Sequence, residues 1–129
     1  GCSIGFPDGW PKCQGDVLPS LDNSGILVQM VHRIGAGVVG LALIFGVMKF
    51  KENAREQGVH DTYSKCLDTA GAFWLANVFV GGLYIVYAKM GDFPESLSLL
   101  HLVLGVASFL SASIGLMLLR LSEEGAEDE

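Results

Sequence analysis

Apolar residues gather into three long blocks separated by short polar segments. They are residues 25–48 (GILVQMVHRIGAGVVGLALIFGVM), 70–88 (AGAFWLANVFVGGLYIVYA) and 97–119 (LSLLHLVLGVASFLSASIGLMLL). Each is long enough for a helix to cross a bilayer, which takes about 20 mostly apolar residues. The pattern predicts three transmembrane helices near 24–48, 69–89 and 95–120, an all-α integral membrane bundle. Nothing larger than one such bundle fits within 129 residues. The middle block carries no charge, and Asn77 is its one strongly polar side chain.

The polar segments mark the ends of these elements. Residues 1–23 are rich in Gly, Pro and Asp and read as a turn-rich extramembrane loop, with Asp22, Asn23 and Ser24 as candidate caps for the first helix. Before the third helix, Asp92 can cap, Pro94 suits a first turn, and Glu95 follows as in a capping box. Residues 49–68 either extend the flanking helices or form a short surface connection. Residues 121–129 read as an acidic, solvated, disordered tail, with docking to a basic partner as the alternative. At the other end, Gly1-Cys2 reads in two ways: the end of a lipoprotein signal with Cys2 acylated, or a loop following an earlier helix.

Charge adds an orientation. Lys49, Lys51, Arg55 and Lys65 lie between the first two helices and Arg120 closes the third, whereas the other connections hold only Lys12 and Lys89. By the positive-inside tendency, the N-terminal loop faces outward and the C-terminus faces the cytoplasm or matrix. The setting expected is a bacterial or archaeal plasma membrane, or the mitochondrial inner membrane. The net charge of −6 comes largely from the tail. Membrane lipid is the expected environment, and no nucleic-acid partner is expected.

Against this apolar background two histidines stand out. His32 lies eight residues after Ser24, roughly 12 Å along a helix, and His101 lies seven after Pro94, roughly 10 Å. The first and third helices enter from the same side, so the imidazoles sit at matched depth. Ionisable side chains inside a span are costly and mark functional sites by default. Two imidazoles at one depth point to a shared ligand, and haem iron is the leading candidate. Small neighbours accompany both: Gly105, Ser108, Ala112 and Gly115 beyond His101, and Gln29, Gly35, Ala36 and Gly40 around His32. A flat macrocycle between helices needs that lack of bulk, and the Arg33 fork suits its propionates. The alternative is that small faces let helices pack directly and each His bonds a neighbour. Zinc or copper is disfavoured, because no third His, Asp or Glu shares that depth. His60, in the basic segment, reads as a solvated surface side chain.

Cys2 and Cys13 share the outer loop, where an oxidising compartment allows a disulfide. That pair reads as a structural staple or as a redox-active dithiol. Cys66 lies on the opposite side and reads as a free thiol. Trp10 and Pro11 are expected at the membrane interface.

The string WPKCQGDVLP followed by VQMVHRIGAGVVGLAL resembles haem A synthase, as do ANVFVGGLYIV and LSLLHLVLG. The resemblance covers roughly residues 1–120. That family oxidises the C8 methyl of haem O and is usually built of two related four-helix halves, each holding a haem between two histidines. The resemblance implies that this chain corresponds to helices 2–4 of one half. It implies His32 and His101 as axial iron ligands, and Cys2–Cys13 as the loop disulfide of the substrate-side half. One departure is chemical. The substrate half typically has Glu three residues before the first His, and here that position is Gln29, which cannot carry charge or act as a base. Two readings follow: a half-size haem A synthase working as a homo-oligomer with haem O, or a non-catalytic bis-His haem b subunit of a larger respiratory or photosynthetic electron-transfer complex. A haem-free packing subunit is a third.

Overall fold

The computed structural model describes residues 2–57, 61–88 and 92–127. Three helices follow in order: α1 Ser24–Gln57, α2 Asp61–Tyr87 and α3 Glu95–Glu127. Within them, stretches of 29, 26 and 27 residues are long and apolar enough to cross a membrane. No extended strand accompanies them among the described residues. The all-helical membrane architecture expected from the three apolar blocks is the one found.

Helix ends show which capping signals act. Asn23 caps α1: its Oδ1 accepts from the Gly25 and Ile26 N–H groups at 2.9 and 3.3 Å, and its carbonyl accepts from Leu27. This satisfies donors that the first turn cannot pair internally. At α3 the carbonyl of Pro94 takes the first helical bonds, from Leu97 and Ser98, both at 3.1 Å. Pro94 therefore occupies the cap position expected of Asp92. A proline fits there because its missing N–H costs nothing at a helix start.

Both polar flanks are more helical than a surface connection requires. α1 runs through KFKENAREQ to Gln57 and α2 begins at Asp61, so residues 49–57 and 61–68 extend the helices. Lys, Glu, Ala, Arg and Gln are all good helix formers, and the Lys51 ammonium meets the Asp68 carboxylate at 2.6 Å to tie α1 to α2. α3 likewise continues into the acidic segment, as far as Glu127. A helix already nucleated in the membrane span extends by one bond per added residue, which favourable propensities sustain even in an acidic sequence. His60 lies outside the described residues.

α2 is the central element. α3 packs along it, α1 meets it over a shorter contact, and α1 and α3 make no helix-to-helix contact among the described residues. The small face of α3 makes its packing possible. Gly115 lies against Cys66 and Leu67, where an added Cβ would come within 3.2 Å, and Ser108 Oγ donates to the Ala70 carbonyl at 2.8 Å. Higher up, Gly105 sits beside the Asn77 amide. Gly105, Ser108 and Gly115 thus seat α3 on α2, the use of a small face that was the alternative to making room for a macrocycle. Lipid tails are as apolar as Leu, so close van der Waals contact through small residues drives association. On α1, Gly40 is covered by Trp74 of α2, whereas Gly35 borders open space. Outward-facing Val28, Val31, Phe45, Leu102, Phe109 and Met117 are exposed. That apolar exterior suits hydrocarbon and would be untenable in water.

Candidate functional site

The loop of residues 2–22 folds over one end of the bundle and is fixed at several points. Cys2 and Cys13 are the most deeply buried large side chains, packed on Met30 with Ile26 beside them. Their sulfurs are at bonding distance and their Cα atoms 4.7 Å apart. Gln29 Oε1 accepts from the Cys2 N–H at 3.2 Å. Arg33 reaches three loop carbonyls: Nη1 donates to Pro11 and Lys12 at 3.3 and 2.9 Å, and Nη2 to Gly9 at 2.9 Å. Trp10 lies on α2 at Gly82, where an added Cβ would come within 2.8 Å of the indole. Turn geometry inside the loop needs Gly15, which adopts φ +84° beside the Cys13–Asp16 bridge.

Gln29 and Arg33 are one helical turn apart on α1 and both point to this loop. The Arg33 fork, expected to suit propionates, is directed at main-chain oxygens. A guanidinium satisfies several carbonyls at once because its five donors are fixed in a plane.

Beneath the loop the two histidines face each other. Their ring centroids are 6.0 Å apart with an interplanar angle of 71°. Since α1 and α3 do not touch as helices, this ring pair spans the gap between them. Two imidazoles bound to opposite sides of one metal, each at about 2 Å and with roughly 1.2 Å from nitrogen to ring centre, have centroids ~6 Å apart. The angle is compatible with that arrangement, because each ring contains the bond axis and can turn about it.

The two rings are held differently. His101 Nδ1 lies 3.0 Å from the main-chain oxygen of Asn77. A carbonyl only accepts, so Nδ1 is the donor, and in a neutral imidazole this leaves the lone pair on Nε2. Binding the second ring nitrogen to a backbone carbonyl is how metal-ligating histidines are commonly oriented. Gly81 makes the contact possible: an added Cβ there would come within 2.8 Å of Cε1 and 3.1 Å of Nδ1. His32 is exposed, and its one described contact is with His101.

Of the residues singled out from sequence, His32 and His101 come together, Gly35 is exposed with open space around it, and Gln29, Arg33, Cys2 and Cys13 belong to the loop cover. Gly105 lies against Asn77, whose Oδ1 is buried without a donor among the described residues. No cluster of three or more His, Cys, Asp or Glu able to hold a metal occurs among the described residues. A haem needs only two protein donors, and the paired imidazoles with the His101 ring held on Asn77 fit one. Sequence reasoning missed Gly81 and Asn77 as supports of His101. Their signal is positional: Asn77, the one strongly polar residue of the span, and Gly81 stand one turn apart on α2.

Fold and site together define a polytopic helical membrane protein with an intramembrane pair of imidazoles under a cysteine-containing loop. Compared with curated proteins, the chain is 27% identical over 119 residues to a protein of Alkalihalophilus pseudofirmus described as "Heme A synthase". The match takes in 92% of this chain but 37% of that protein, so the chain spans little more than a third of its relative's length. No family model matches, and no solved structure matches significantly. The match supports a distant relation to haem A synthase and a haem-related membrane role.

Proposed function

We propose that the chain is a bis-imidazole haem-binding unit of the inner or plasma membrane, with His32 and His101 as axial ligands and the 2–22 loop as an outward-facing cover. The observation that carries this reading is the 6.0 Å ring separation across a gap where α1 and α3 do not otherwise meet. Bound haem would supply redox chemistry at its iron, and the chain supplies ligation, orientation and exclusion of water. Cys2 and Cys13 form a structural disulfide that keeps the loop folded over the site. By its distant relation to haem A synthase, the unit serves methyl oxidation of a haem O-type substrate within an oligomer that brings two such units together.

A second reading rests on Gln29. Its side-chain oxygen accepts from the Cys2 N–H and it cannot ionise, so this chain offers no carboxylate at that point of the site. That favours a non-catalytic haem b electron carrier in a larger complex. Identification of the extracted pigment separates the two. Haem O or haem A in the purified protein supports the oxidative role, haem b alone supports the carrier, and absence of any haem contradicts both.

A further inference from the structure

We infer that the two histidines are unequal: His101 is the anchoring ligand, positioned by Gly81 and the Asn77 carbonyl, and His32 is the ligand that lets go. The inference rests on the haem-binding reading and goes beyond it. Its basis is the asymmetry of support. His101 is half-buried, its Nδ1–H donates to Asn77 at 3.0 Å, and its ring lies on Gly81 so closely that no β-carbon fits beneath it. His32 is exposed on α1, has no hydrogen bond among the described residues, and stands three residues from Gly35, whose missing side chain leaves open space. A ring with a fixed tautomer and orientation loses little freedom on binding, and its donated proton raises its basicity. A ring free to rotate loses more and returns to solvent or lipid more readily.

The helix carrying each ring reinforces the difference. α3 is seated along α2 through Gly105, Ser108 and Gly115, whereas α1 meets α2 over a shorter contact. Exchange at His32 breaks one metal–nitrogen bond and forms one to an incoming neutral donor, with no electron transferred. Gly81 is thus a positioning residue that acts through the His101 ring.

The test titrates ferric haem b into the full chain in lipid nanodiscs, for wild type, His32→Ala, His101→Ala, Gly81→Ala and Gly71→Ala. Gly71 borders open space and controls for replacing a helical glycine in α2. Helix content and membrane insertion are recorded for each variant. Expected is a six-coordinate low-spin wild type, and a His32→Ala protein that keeps its haem five-coordinate and returns to six-coordinate with added imidazole. His101→Ala should lose haem, and Gly81→Ala should bind about 10-fold more weakly or worse, with Gly71→Ala like wild type. A wild type without low-spin haem removes the haem reading itself. A low-spin wild type overturns the present inference alone if the two histidine variants lose haem equally, if His101→Ala is the better binder, or if Gly81→Ala matches Gly71→Ala. Loss of insertion in His101→Ala shifts the decision to Gly81→Ala.

Discussion

At the scale of single residues, Arg33 of α1 donates to the loop rather than to the space beside His32. Three carbonyls converge on one guanidinium, and a hydrogen bond to a charged group in partly buried surroundings contributes about 2 kcal/mol. Arg33→Ala is therefore expected to speed limited proteolysis of residues 2–22 by at least tenfold, and Arg33→Lys to restore it incompletely, since an ammonium lacks the planar fork. Equal proteolysis of wild type and Arg33→Ala would remove the anchoring role. The sequence showed both histidines, the paired cysteines and the arginine. It did not show where Arg33 points, because a propionate and a main-chain carbonyl attract a guanidinium by the same chemistry. Gly81 was equally hidden: a glycine in a membrane span reads the same whether it seats a helix, a loop tryptophan or an imidazole.

Between elements, the decisive contrast is between two glycines that look alike in sequence. Gly115 is closed against Cys66 and Leu67, whereas Gly35 borders open space next to His32. Gly115→Leu must push α3 off α2, and overpacking of this kind costs about 1–3 kcal/mol, expected as a lower thermal midpoint. A Cβ at Gly35 meets no protein atom within 4 Å, so in Gly35→Leu helix packing should hold while haem binding falls, because the leucine adds bulk about one turn from His32. Unchanged haem content in Gly35→Leu, or a Gly115→Leu protein as stable as wild type, would contradict this division of the two faces. Helix existence was legible because apolar runs of this length leave few other structures. Helix ends were less so: Pro94 displaced Asp92 as the α3 cap, and α3 ran on through the acidic tail. Capping competes among adjacent residues and is decided by fractions of a turn, which composition does not resolve. The use of the α3 small face was not legible either, since small residues serve close helix packing as readily as they make room for a ligand.

For the molecule as a whole, α2 acts as a spine to which α3 is tightly and α1 more loosely attached, with the loop bridging the α1 and α2 ends through Arg33 and Trp10. In that arrangement α1 and α3 each present an imidazole, and the two rings face each other. The depth match was visible from residue spacing alone, because helical rise is constant. The unequal support of the two rings was not, because it depends on which backbone carbonyl of α2 comes alongside α3. Electron paramagnetic resonance of the purified, oxidised full chain tests the central claim most directly. A low-spin ferric haem signal with two imidazole ligands, lost on replacing either histidine, is the predicted result. A chain that is folded and inserted yet carries only high-spin iron, or no haem after reconstitution, would contradict it.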